Sequence, residues 1–268
     1  VSGNTHVEQV TENVLRLLAY FNRGNIPVYK GAYVPLVASP HHGERIHGQN
    51  GLGDVELPAA GKGAEHECAP AAIYRIAKAN PGLTLITLGP LTNIAIAFNL
   101  YPELKELTAG IVAMGGALET GNVTRFAEFN FCFDPEAVQF VIETGVPMSI
   151  VPWDPIVKLP FTEKELKSLI PKRNKAGKLF LDIQQVTMSF TEKFHGVRAT
   201  MLPDPAAMAF FLDKSVAAST ITGNLRMELN YNTLRGASIL NDGARMGIVT
   251  ELSREKFKES IKGIFRLG

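Results

Sequence analysis

The sequence predicts an α/β protein, a mostly parallel sheet flanked by helices with a helical insertion after it, forming a single domain over residues 1–268. Two observations carry this. Continuous apolar runs at Leu83–Leu88, Gly110–Met114 and Val146–Val151 lack polar alternation, as strands covered on both faces require. Helical patterns lie between them, and strand alternating with helix implies right-handed crossovers and a Rossmann-like sheet. The chain, 268 residues with 46% hydrophobic content, is long enough to bury one large core.

In chain order, Thr5-x-x-Glu8 reads as a capping box. Val7, Val10, Val14, Leu17, Leu18 and Phe21 follow at helical spacing, and Arg23-Gly24 closes the helix. Ile26–Tyr29 reads as a short strand. Residues 31–63 are irregular and rich in Gly, Pro and His, the mark of a functional or disordered loop. Glu67–Ala79 is helical and stops at Asn80-Pro81-Gly82. After the strand at Leu83, the turn Gly89-Pro90-Leu91-Thr92-Asn93 leads into a helix over 93–100. Asp134-Pro135 opens a helix over 135–144, with Asp134 as cap and Pro135 in the first position. The third strand ends in Pro152-Trp153-Asp154-Pro155. Thr162 caps another helix. A longer one over 176–195 carries Leu179, Ile183, Val186, Phe190 and Phe194, suited to a cleft wall or to plain packing. Asp204, as N-cap before Pro205, starts a helix through Leu212. Short strands follow over 216–250, and a charged helix over 253–264 closes the chain.

Composition narrows the function. The formal net charge of +1 gives no electrostatic case for a nucleic-acid or membrane partner. No apolar run reaches membrane-spanning length, and no signal peptide is visible at Val1, so a cytoplasmic setting is expected. Cys68 and Cys132 form no disulfide framework and have no metal-ligand spacing. His41, His42 and His47 share the irregular stretch, but adjacent histidines without a Cys or Glu frame suit no common metal site.

The chemistry concentrates between Met114 and Ala137. Gly121-Asn122 makes a turn, and Glu128 and Asn130 follow, two residues apart. In an extended segment both would face one side and converge with Asn122 on one pocket at a strand end. The alternative is an exposed hairpin with Glu128 paired to a neighbour such as Arg125.

That stretch, GNVTRFAEFNFCFDPEA after an MGG, resembles the central motif of the inosine–uridine-preferring nucleoside hydrolases. Gly3-Asn4, HGQNGLGD at 47–54 and TLGPLTNIA at 87–95 match the family in the same order. The resemblance implies hydrolysis of the N-glycosidic bond of a small-molecule nucleoside with a Ca²⁺-bound water, by a homodimer or homotetramer. It implies that Asn122 and Glu128 hold the 5′-hydroxyl, Asn130 the 2′ and 3′ hydroxyls, that Met114 lines the ribose pocket, and that Asn4 sits at its sugar end. Asp204 and the Leu88 carbonyl would be calcium ligands, with Asp204 also touching a ribose hydroxyl. Two departures stand against it. The family's Asp-x-Asp-x-x-x-Asp-Asp cluster is absent, the first Asp being Asp54, which suggests a chain lacking an upstream segment or a degenerate member. Pro203 stands where many members carry the histidine that protonates the leaving base. His195 and His47 are the candidates for that acid, and Trp153 is a candidate to stack on the base. A family member that binds nucleosides without catalysis, or one that hydrolyses another N-riboside, is the alternative reading.

Overall fold

The computed structural model describes residues 1–39 and 44–266, with every side chain among them except those of residues 44, 45 and 195. His41 and His42 lie outside the described residues. Three helices come first: α1 (Val7–Tyr20), α2 (Glu44–His47) and α3 (Ala69–Ala79). Strand and helix then alternate through β1 (Leu83–Thr87), α4 (Thr92–Leu100), α5 (Leu104–Leu107), β2 (Thr108–Met114), α6 (Phe129–Phe133), α7 (Pro135–Glu143), β3 (Met148–Val151) and α8 (Trp153–Val157). The helical insertion comprises β4 (Phe161–Thr162), α9 (Glu163–Leu169), α10 (Lys175–His195), β5 (Ala199–Thr200) and α11 (Pro203–Leu212). The chain ends with β6 (Ala217–Met227), β7 (Ser238–Leu240), β8 (Ala244–Leu252) and α12 (Arg254–Arg266).

The main sheet runs β1-β2-β3-β8-β6-β7. Its first four strands are mutually parallel, and β6 lies antiparallel to both neighbours. The mostly parallel α/β fold is therefore the one observed. Alternation along β2 and β3 splits the core into two. Ile111, Ala113, Met148 and Ile150 face a cluster with Leu91, Ala95, Val138 and Val141 of the α4–α7 layer. Val112, Met114 and Val151 face the other way, onto Ile156, Leu166, Met188, Ala206 and Phe257 of the insertion and α12. A central strand buried on both sides has no polar face to offer, which is why it reads as a continuous apolar run.

Several local expectations hold and several do not. Asp134 caps α7 by accepting from the Ala137 amide, and Thr162 with Glu165 forms a reciprocal capping box on α9. The Thr5–Glu8 box does not form. The helix starts at Val7 with His6 as its cap, because the Thr5 carbonyl is taken by the Gly3 amide and the Ser2 hydroxyl in a buried turn. Ile26–Tyr29 forms only a single parallel bridge, Tyr29 to Glu65, not a strand. Asp204 is not the cap of α11. That position is Leu202, and Asp204 sits one residue after Pro203 inside the first turn. None of the helices in the described residues is long and apolar enough to cross a membrane.

Asp134 does more than cap. It is 0% exposed, and besides Ala137 it accepts from the Thr92 hydroxyl at 2.6 Å and the Leu36 amide at 2.9 Å. Asn93 beside it accepts from the Ala32 amide at 2.8 Å. The Thr92-Asn93 pair and Asp134 thus clamp the 31–36 segment onto the starts of α4 and α7. Burial pushes the Asp134 carboxyl up, while the bonds from Thr92, Leu36 and Ala137 pull it down. Replacing Asp134 with Ala strands these donors, so D134A is expected to lose about 2–4 kcal/mol by urea unfolding. Asp134→Asn, which keeps one acceptor oxygen, is expected to lose less. Equal stability of D134A and the parent would contradict the clamp.

Candidate active site at the carboxyl edge of the sheet

The site forms where β1, β2 and β3 end together. Thr87 pairs with Ala113, and Met114 pairs with Val151, so Leu88, Gly115 and Pro152 leave the sheet side by side. Gly115 and Gly116 let α6 settle onto this edge. A Cβ on Gly115 would lie 2.2 Å from the Phe131 ring, and Gly116 has φ +87, so neither tolerates a side chain.

That close approach brings Glu128 to the end of β2. Glu128 is not in an extended segment, as its spacing to Asn130 suggests. It is the N-cap of α6. Its Oε1 accepts from the Asn130 amide at 2.9 Å, and its Oε2 from the Phe131 amide at 3.1 Å and the Gly116 amide at 2.9 Å. The side chain is therefore committed to backbone amides, not to Arg125, whose guanidinium lies over the Phe126 ring. Asn130 is nevertheless tied to the end of β2. Its Nδ2 donates to the Met114 carbonyl at 3.1 Å and lies 3.2 Å from the Met114 sulfur. Asn122, exposed on the preceding loop, accepts from the Phe129 amide at 2.8 Å through Oδ1. Glu128 and Asn130 are 2% and 7% exposed.

Asp204 approaches from α11, whose Ala206 and Ala207 pack in the same core cluster as Met114. Burial lifts the Glu128 carboxyl to about 7 against the pull of its amides, and the Asp204 carboxylate adds to the lift. Burial likewise lifts Asp204 to about 7. The Glu128 carboxyl feels the Asp204 carboxylate and Asn130 bonds Met114, so these four residues gather at the carboxyl edge of the sheet, with Leu88 following Thr87 beside Met114.

Other predicted residues take up positions around it. Gly3 packs against Pro90, which brings Asn4 beside the end of β1. The HGQNGLGD loop is wedged between α1 and α10. Asn13 donates to the Asn50 carbonyl at 2.6 Å, and a Cβ on Gly53 would strike the Ile183 carbonyl at 2.3 Å. His47 ends α2, half-buried, and burial holds its imidazole below the ordinary value, which favours the neutral ring. No hydrogen bond among the described residues joins it to the Glu128 group. His195 is the last residue of α10, and its side chain lies outside those described. Trp153 opens α8, donates its backbone N–H to the Gly116 carbonyl at 2.9 Å, and packs its ring partly into the second core.

Asp154 has no assigned role in the sequence reading. It is 5% exposed and accepts from three consecutive amides, Leu118 and Glu119 at 2.7 Å each and Thr120 at 3.1 Å. The only hint in sequence is a carboxylate just beyond a strand end.

Calcium takes about six to eight oxygen ligands. The two expected oxygen ligands are the Asp204 carboxylate and the Leu88 carbonyl, and Glu128 is engaged by three amides. Among the described residues no group of three His, Cys, Asp or Glu is placed to hold a metal. These residues alone do not complete a calcium shell.

Comparison with known proteins identifies the family and the fold. The sequence signature of the inosine-uridine preferring nucleoside hydrolases matches residues 1–259. The non-specific ribonucleoside hydrolase RihC of Escherichia coli K12 is 35% identical over 186 residues, 67% of this chain, and the match spans only 59% of RihC. The plant nucleoside hydrolase PpNRh1 superposes with a TM-score of 0.93 at 25% identity, over 99% of this chain and 88% of that one. The purine-preferring ribonucleoside hydrolase of Gardnerella vaginalis gives 0.89 at 29% identity, over 99% and 89%.

The raised Asp204 carboxyl has a measurable consequence. A folded-state value of about 7, above the unfolded one, favours folding at low pH, and that contribution is lost as pH rises toward about 7. With chelator present, Asp204→Asn is expected to be more stable than the parent at pH 8, with a smaller difference at pH 5. Urea unfolding at both values checks this. A parent and variant with parallel pH profiles would contradict it.

Proposed function

The chain belongs to the inosine-uridine preferring nucleoside hydrolase family, and from that premise we propose that it hydrolyses the N-glycosidic bond of ribonucleosides to ribose and free base. The observation that carries the proposal is the gathering of Glu128, Asn130 and Met114, tied by hydrogen bonds at the end of β2, with Asp204 close enough to act on the Glu128 carboxyl. Breaking this bond builds positive charge on the sugar ring, so an enzyme must fix the ribose, deliver water beneath C1′ and assist the departing base.

The hydrogen bonds within the site support a division of labour. Met114 occupies the Asn130 Nδ2, so the amide oxygen is left to accept from the 2′ and 3′ hydroxyls. Phe129 occupies the Asn122 Oδ1, so its Nδ2 is left to donate to the 5′ oxygen. Glu128 Oε2 is filled by two amides, while Oε1 takes one and retains a lone pair that would accept the 5′ hydroxyl proton. Asp204 would meet a ribose hydroxyl from the opposite wall. The fixed orientation of both amides makes the grip complementary to a hydroxylated sugar and unforgiving of a missing hydroxyl.

Asp204 and the Leu88 carbonyl are the two oxygens that this stretch would lend to a Ca²⁺ ion, and the sugar contacts above stand without it. A homodimer or homotetramer and a nucleoside as the sole partner belong to the same reading. A second reading, binding without turnover, is favoured by Pro203 at the position of the usual acid.

The test is ribose release from inosine or uridine by the product of the full open reading frame, with and without EDTA. Release that EDTA abolishes supports the calcium-dependent hydrolase, and no release from any common nucleoside would sink the enzymatic reading. Asn130→Ala is expected to lower kcat/KM for inosine by about 10- to 100-fold, the worth of one or two buried hydrogen bonds. It should affect 2′-deoxyinosine less. If Asp204 is a ligand, Ca²⁺ at pH 8 should raise the melting temperature of the parent and not of Asp204→Asn. Equal shifts in both would remove Asp204 from the metal site.

A further inference from the structure

The segment from Ala117 to Ala127 leaves the end of β2 and returns at Glu128, carrying Asn122 at its outer part. Its back end is firmly held by the three amide bonds of Glu128 and by the Phe129 amide on Asn122. Its middle is closed on itself. The amides of Asn122, Val123 and Thr124 converge on the Ala127 carbonyl, the Gly121 amide reaches the Arg125 carbonyl, and the Thr124 hydroxyl accepts from Phe126 and Ala127. A Cβ on Gly121 would lie 2.3 Å from the Thr124 and Ala127 carbonyls, so the turn is compact. Residues 122–126 are nevertheless exposed, so packing does little to locate this compact unit on the body of the protein.

Its front end is located by Asp154. The amides of Leu118, Glu119 and Thr120 all donate to that one carboxylate, across 34 to 36 residues of sequence. Asp154 is in turn fixed in the first turn of α8, where the Trp153 amide bonds the Gly116 carbonyl. Three donors from successive residues need acceptors on both oxygens. An Asn in this place would turn an NH₂ toward at least one N–H and lose that bond.

We propose that Asp154 is a positioning residue for the 5′ end of the sugar, holding the front of the 117–127 loop so that Asn122 stands opposite Glu128. The proposal rests on the reading of Asn122 and Glu128 as the 5′-hydroxyl grip. A purely structural Asp154 would affect all substrates alike. A positioning Asp154 affects only those whose 5′ hydroxyl Asn122 can reach.

The experiment compares kcat/KM for inosine and 5′-deoxyinosine in the parent, Asp154→Asn, Asn122→Ala and the double variant. Asp154→Asn is expected to lower the value for inosine by about 10-fold and that for 5′-deoxyinosine by less than about 2-fold. In the Asn122→Ala background it should add less than about 2-fold for inosine, because both changes remove the same contact. Asp154→Glu, which keeps the charge and displaces the oxygens by one methylene, should show the same substrate-selective loss and serves if the Asn variant does not fold. Amide hydrogen exchange at residues 118–120 should quicken in either variant. Equal loss on both substrates, or an additive loss in the double variant, overturns the role of Asp154 while leaving the grip intact. A parent that hydrolyses both substrates equally well overturns the grip itself and this proposal with it.

Discussion

The site depends on one buried carboxylate meeting three backbone amides. Glu128 joins the Gly116 amide just after β2 to the first turn of α6, and the Asn130 side chain adds a second tie to the Met114 carbonyl at the end of β2. Amide donors compensate a buried carboxylate without needing a cation. From that junction the rest follows. Asn130 falls in the first turn of α6, its amide is oriented by Met114, and the Phe131 ring fills the space that Gly115 leaves.

Electrostatics then set what the site accepts. Glu128 and Asp204 are two acids in one poorly solvated space, and both are raised to about 7. Neutral hydroxyls that donate and accept suit such a pair, and so does a cation that removes the penalty of ionising Asp204.

Much of the frame is legible in sequence because it is local. The doubly buried strands, the Asp134-Pro135 cap and the Thr162–Glu165 box each follow from residues within a few positions of one another. What fails turns on hydrogen bonds that residue type and spacing do not announce. Thr5 has the right residue for a cap, yet its carbonyl is tied into the turn with Ser2 and Gly3. Glu128 looks extended by spacing, yet its side chain draws the chain into α6. Asp204 precedes a proline, as a cap does, but the helix begins one residue before it. Asp154 is illegible because its partners lie 34 to 36 residues upstream. Motif order and resemblance point to the site residues, while their hydrogen bonds follow only from the folded chain.

The central claim is that a pentose is held between α6 and α11. The most direct measurement is a crystal structure of the protein with D-ribose. The account places sugar hydroxyls at about 3 Å from Asn130 Oδ1 and from the Glu128 carboxyl, with Asp204 on the facing wall. Ribose bound elsewhere, with Glu128 and Asn130 still making only their present contacts, would contradict it.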